Sequence, residues 1–271
     1  MAGTERPYRV DDEWSRCVFG RRTGAAAAFL APYLRPGMRL IDCGCGPGSI
    51  TAGLAKLVAT APVVGVDLRP DALGQERTVA REHGIANLEV VSANSYRLPY
   101  ADGSFSAAFA CALLQHLGDP VAALVEIRRV LKPGGVLGIA DGSSPITFRY
   151  PINPWLVKWD EIRACERPYR TGRPAETLEL RTLLRKAGFS PTASSGTLTS
   201  ETGPPAGTVE ATRAVARSHL VRLRGLLGEV ALAEGWATAD ELERIAEALI
   251  AWGEAPDAFY ARPSLTAIGW V

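Results

Sequence analysis

The pattern of apolar and polar positions changes period again and again along the first half of the chain. Trp14, Val18, the alanine-rich run 25–30 and Leu34 recur near helical spacing, which predicts a helix over 11–34 stopped by Pro36-Gly37. Met38 to Asp42 then reads as a short buried strand. It leads into Gly44, Gly46 and Gly48, and Ser49 to Thr60 reads as a helix with Ser49 as its N-cap. The β-branched run from Pro62 to Asp67 predicts a second strand, and 70–83 a helix that starts at a proline and ends at Gly84. Further strands are expected at 88–92, 105–111 and 136–140. A helix is expected over 119–131, followed by a turn at Lys132-Pro133-Gly134-Gly135.

Short connections between alternating strands and helices predict an α/β fold, a doubly wound parallel sheet with helices on both faces. Beyond residue 141 the alternation breaks. Trp155 and Trp159 lie at helical spacing among prolines, and 176–187 reads as a helix. Residues 189–199 read as a strand, 208–235 and 237–252 as helices, and 259–271 as a last strand. The expected organisation is an N-terminal helical lid (1–36), a ligand-binding α/β core (37–144) and the rest of the sheet with inserted helices (145–271), all in one compact domain.

Composition narrows the function classes. Lys+Arg is 30 against Asp+Glu 29, a formal net charge of +1, so no long-range field favours nucleic acid or an anionic membrane. No apolar run approaches the ~18 residues of a membrane span. Asp11, Asp12 and Glu13 stand where a signal peptide would be basic and then apolar. The five cysteines (17, 43, 45, 111, 165) are odd in number, and a lone C-x-C pair is poor zinc evidence. These features point to a cytoplasmic protein with reduced thiols, a monomer or homodimer, with no nucleic-acid or membrane partner and no metal.

The chemistry concentrates in the turn Asp42-Cys43-Gly44-Cys45-Gly46-Pro47-Gly48-Ser49, between a strand and a helix. Glycines there let the backbone approach a ligand closely. Asp67 closes the next strand and can accept both hydroxyls of a ribose. A dinucleotide turn needs a third glycine where Ser49 stands, and a carboxylate at Asp42 would repel a pyrophosphate. The same carboxylate attracts a ligand with an ammonium and a sulfonium, favouring S-adenosylmethionine over a dinucleotide.

Residues 39–141 resemble class I S-adenosylmethionine-dependent methyltransferases, in the small-molecule branch that includes the ubiquinone/menaquinone C-methyltransferases. The stretches that carry the resemblance are IDCGCGPGSIT (41–51), VVGVDLRP (63–70), ANSYRLPYADGSFSAAFACALLQHLGDP (93–120) and EIRRVLKPGG (126–135). It implies a mostly parallel, seven-stranded Rossmann-like sheet with S-adenosyl-L-methionine as cofactor and S-adenosyl-L-homocysteine as product. It further implies that Asp42 and the backbone of Gly44, Cys45 and Gly46 hold the methionine part. Asp67 would take the ribose, Leu68 would pack on the adenine, and Asn94, where the family has Asp, would accept from the adenine amino group. Ser95 would offer a backbone N–H, and Cys111 to Gln115 would pass beneath the sulfonium, with Gln115 as a contact.

His116, after the fourth strand, is the candidate general base, weighed against a structural histidine under the loop. His83 reads as a helix C-terminal residue. Asp141 ends the fifth strand where related O-methyltransferases place a magnesium ligand, but Cys111 is a poor partner for that ion. Asn153-Pro154-Trp155 faintly matches an amino-methylating motif, in the wrong place. Phe148, Tyr150, Trp155, Trp159 and Tyr169 form an aromatic segment suited to an apolar substrate pocket or to a satellite core. His219 is a further pocket candidate, and Tyr8, Trp14 and Phe19 are candidates for a lid over the cofactor.

The expected activity is methyl transfer to O, N or C of a small, largely apolar molecule in secondary metabolism. The competing expectations are a non-methylating cyclase or regulatory protein of the same fold, or a macromolecular methyltransferase.

Overall fold

The computed structural model describes residues 25–69, 78, 81, 84–141, 146–173, 179–200 and 209–271. The chain forms two compact units. In their described parts one lies within 25–141, 179–196 and 265–271, and the other within 146–173, 197–200 and 209–264. The expected break near 144 therefore falls at Asp141. The first unit takes in 178–196 and 265–271 from beyond that break. Residues 1–24, with Tyr8, Trp14 and Phe19 of the expected lid, lie outside the described residues.

The first unit is built on parallel strands β1 (Leu40–Cys43), β2 (Val63–Asp67), β3 (Leu88–Ser92), β4 (Phe105–Cys111) and β5 (Leu131–Asp141). Their order is β3-β2-β1-β4-β5, followed by the antiparallel β8 (Phe259–Trp270) through Leu265–Trp270. All four residues of β1 are buried, as expected of a central strand covered on both faces. Period 2 divides its side chains. Ile41 and Cys43 join Val64, Val66 and Ala108 on one face, under helices α2 (Pro120–Val130) and α4 (Leu180–Lys186). Leu40 joins Val63, Ala107 and Phe109 on the other face, against Leu54 and Val58 after α1 (Ser49–Leu57) and against Leu30.

Several expectations shift locally. The described part of 11–34 holds two short 3-10 turns, Ala25–Ala27 and Ala31–Tyr33, in place of a continuous helix. Pro32 lies inside the second. Ser49 is the first residue of α1, and Gly48, at φ 82°, takes the cap position without a side-chain bond. Asp119 caps α2 by accepting from the Ala122 amide at 3.0 Å. Residues 132–135 continue β5, with a register shift near Phe105 of β4.

Among the described residues the sheet has eight strands, one more than expected. The extra strand is β6 (Phe148–Tyr150), which belongs to the second unit and pairs antiparallel with Phe259–Ala261 of β8. β7 (Thr192–Ser200) pairs with β8. In the second unit, α3 (Pro154–Thr171), α5 (Val209–Arg224), α6 (Leu226–Ala233) and α7 (Ala239–Glu254) enclose a core around Trp159, Leu249, Trp252 and Tyr260. The helix expected over 208–235 is two helices, α5 and α6, separated at Gly225. α5 and α7 touch closely at Gly253, where a Cβ would lie 2.8 Å from the Ala216 Cβ. The Thr212 hydroxyl closes that contact, donating to the Gly253 carbonyl at 2.9 Å.

Candidate functional site

The strand order reverses between β1 and β4, so the loops after them diverge and leave a crevice at the carboxyl edge of the sheet. Parallel strands deliver every expected cofactor residue of the first unit to that edge. Asp42 and the glycine turn follow β1, and Asp67 and Leu68 end β2. Asn94 and Ser95 follow β3, and Cys111 to His116 follow β4.

The glycine turn is held by its neighbour strand. The amides of Gly44 and Cys45 both donate to the Val66 carbonyl, at 2.7 and 3.1 Å. Gly44, Gly46 and Gly48 have φ of 76°, 54° and 82°, a region that L side chains avoid. At Gly46 a Cβ would meet nothing within 4 Å, so the backbone faces open space there. The Gly46 amide donates to Asp67 Oδ2 at 3.0 Å, and the Arg69 amide to Oδ1 at 3.0 Å. The carboxylate is thus anchored by two backbone donors and retains acceptor capacity for a ligand. Leu68 beside it is 66% exposed, a large apolar side chain left uncovered at the strand end.

Asp42 is 2% exposed. The Thr51 hydroxyl, from the first turn of α1, donates to its Oδ2 at 2.6 Å. Burial pushes the carboxyl up from the ordinary 3.8 to about 7; the Thr51 bond opposes this and the negative Asp67 adds to it. An acid poised there takes on full charge readily when a cation arrives. Thr51 was missed from sequence, although its place in the first turns of the helix after the glycines was a usable signal.

Asn94 is exposed, and its Oδ1 already accepts from the Tyr96 amide at 2.9 Å. One lone pair of that oxygen remains for a ligand. Ser95 is buried. Cys111 is buried and packs in the core layer with Phe109 and Ala140.

Beyond it Leu114–His116 forms a 3-10 turn. The Gln115 amide donates to Asp141 Oδ2 at 3.0 Å, so Asp141 at the end of β5 shapes the loop. The Gln115 side-chain amide donates to the Ala112 carbonyl at 3.3 Å and lies 3.2 Å from His116 Nε2. An amide nitrogen only donates, so this contact suits the tautomer in which Nε2 accepts and Nδ1 carries the proton.

The four pocket candidates of the second unit separate. Trp159 is wholly buried, and its indole donates to His219 Nδ1 at 2.8 Å. His219 stacks edge-on to Tyr260 with ring centres 5.4 Å apart. Burial holds His219 well below its usual range, with Arg163, Arg149, Arg222 and Arg262 adding to the effect. It is therefore a neutral core histidine. The expectation that Trp159 and His219 line a pocket is corrected by their packing against each other in the helical core. Trp155 is half-buried against that core, with Arg244 over its ring at 5.4 Å. Tyr150 is exposed and borders a cavity. Among the described residues no helix is long and apolar enough to cross a membrane.

A family model for a methyltransferase domain matches residues 41–139. A probable methyltransferase of Aspergillus luteorubrus, ltbC, is 30% identical over 267 residues, covering 92% of this chain and 91% of that protein. The ubiquinone/menaquinone biosynthesis C-methyltransferase UbiE of Shewanella frigidimarina is 38% identical over 113 residues, 41% of this chain and 45% of that enzyme. A solved structure of a putative methyltransferase from Bacillus halodurans shares the fold, with a TM-score of 0.57, 19% identity, and coverage of 91% of this chain and 99% of that one. Similarity along nine-tenths of a probable methyltransferase, joined to a glycine turn and acid pair that fit the donor, places this chain in the class I S-adenosylmethionine-dependent methyltransferases, with S-adenosylmethionine as its cofactor.

Proposed function

We propose that the enzyme methylates an O, N or C atom of a small, largely apolar molecule, with a place in secondary metabolism. The observation that carries the donor half is the pair of acids at adjacent strand ends: Asp42 buried and poised near neutrality, Asp67 anchored by the Gly46 amide. Asp42 with the Gly44–Gly46 backbone holds the cationic methionine end, Asp67 the ribose hydroxyls, Leu68 the adenine face, and Asn94 and Ser95 the adenine edge. The bound cofactor supplies an electrophilic methyl group, so the protein's work is alignment and exclusion of water.

Gln115 and His116 act as a pair held by Asp141 and Ala112. With Nε2 engaged by Gln115, His116 serves as a positioning residue for the loop beneath the donor. A small apolar acceptor is supported by the exposed Phe148, Tyr150 and Ile152, a group of large side chains that the fold leaves uncovered.

The test is incubation with methyl-labelled S-adenosylmethionine and a panel of apolar phenols, amines and enolisable carbonyl compounds. Acceptor-dependent formation of S-adenosylhomocysteine with label in an organic-soluble product is expected. Cofactor binding with no acceptor-dependent turnover across the panel, but label on added protein, would refute the small-molecule reading.

A further inference from the structure

In the second unit, β6, the loop before α3, the first turns of α3 and Phe259 surround a cavity of about 380 Å³. That lies in the range of small-molecule sites, roughly 300–1,000 Å³. Its rim is apolar and open: Phe148, Tyr150, Val157 and Phe259 are each 40–54% exposed, and Ile152 is 82% exposed. Its wall also contains two charged groups, Arg149 and Asp160.

The charges there do not balance. Asp160 accepts from the Thr147 hydroxyl at 2.9 Å, from Arg149 Nη2 at 3.2 Å and from Arg163 Nη1 at 2.9 Å. Among the described residues Asp160 is the only acid that pairs with either arginine. Two guanidiniums therefore share one carboxylate. The Arg149 side chain is only 6% exposed. Its Nη1 donates to the Leu156 carbonyl at 3.0 Å, and its Nε has no acceptor among the described residues. The rings of Tyr260 and Trp252 lie 5.3 and 5.8 Å from its guanidinium carbon. A buried excess of positive charge is costly unless an anion meets it.

We propose that this cavity binds a small molecule with an apolar, largely flat body and a single negative charge. The site rests on the cavity and its charge. The apolar body lies against Phe148, Tyr150, Ile152 and Phe259, and the anionic group meets the Arg149 side of the Arg149–Asp160–Arg163 cluster.

The probe is anilinonaphthalene sulfonate, an apolar aromatic monoanion whose fluorescence rises out of water, compared with uncharged phenylnaphthylamine of the same skeleton. Titrated onto the full chain, the sulfonate is expected to bind about tenfold more tightly than the neutral amine. Phe148→Ser and Tyr150→Ser, at exposed positions, should each weaken it about fivefold or more. Val125→Ser, an exposed apolar position in the other unit, should leave it within twofold.

Arg149→Gln should bring the sulfonate down to the affinity of the neutral amine. If that variant does not fold, the two rim variants still decide. Equal affinity for both probes, or sulfonate binding indifferent to both rim substitutions, overturns the proposal. Calorimetry with S-adenosylmethionine runs alongside. Cofactor binding with failed probe binding sinks the cavity alone.

Discussion

Asp42→Asn isolates the buried acid of the glycine turn. The amide is isosteric, and its oxygen can still accept from the Thr51 hydroxyl. In the wild type the folded carboxyl titrates at about 7 against an ordinary 3.8. A raised folded pKa means that the native state binds the extra proton. Stability from this group is complete below the unfolded value and is lost as pH rises through the folded one. Between pH 5.5 and 8.5 the loss is about 2 kcal/mol by that linkage. Asn cannot titrate, so its variant lacks this component, and all other groups cancel in the difference. Urea unfolding of both proteins at the two pH values is expected to show wild type falling by about 2 kcal/mol relative to Asp42→Asn. A difference that stays flat, or moves the other way, would refute the claim that Asp42 is a desolvated acid. S-adenosylmethionine should reverse the preference by drawing Asp42 into its charged form. Cofactor binding near pH 6 should then release a proton, measurable by calorimetry in buffers of different ionisation heat, and Asp42→Asn should abolish the release.

Asp67→Ala is expected to weaken the cofactor by about a hundredfold, since hydrogen bonds to a charged group are worth roughly 1.5–3 kcal/mol each. Asn94→Ala, losing a neutral and already half-used acceptor, should cost less than tenfold by calorimetry; the reverse ranking would misplace the adenosine. Trp159→Ala should destabilise the helical unit by about 3–5 kcal/mol, visible as a lost or early thermal transition, because the residue is wholly buried and bonded to His219. A normal melt with impaired turnover would return Trp159 to the substrate side. His116→Ala should lower kcat less than about tenfold and leave the pH profile of kcat unchanged. Loss of a basic limb near neutrality would instead make His116 the general base.

Much of the first unit was legible because parallel strands covered on both faces need continuous apolar runs, and helices between them need breakers. The spans 63–67 and 105–111 follow directly from that pattern, while 88–92 lies at the sheet edge and is only partly covered. The glycine turn was legible for a different reason: glycines spaced so closely after a strand mark a backbone at positive φ. β6 was not legible, since three residues among prolines carry no period of their own and become a strand only by pairing with β8. The break between α5 and α6 at Gly225 was also hidden inside one helical period.

The amino-acid sequence by itself determined the alternation of elements, the glycine turn and the acids at the ends of its strands, because backbone permissiveness and hydrophobic period are local properties. Tertiary structure decided which side chains lost their water. It turned Trp159 and His219 into a core pair, raised Asp42 by burying it beside Thr51, and left Arg149 and Arg163 sharing one carboxylate at Asp160. Desolvation and pairing depend on which side chains the fold brings together, 3 residues apart for Arg163 and Asp160 or 60 apart for Trp159 and His219, and local pattern carries no record of them.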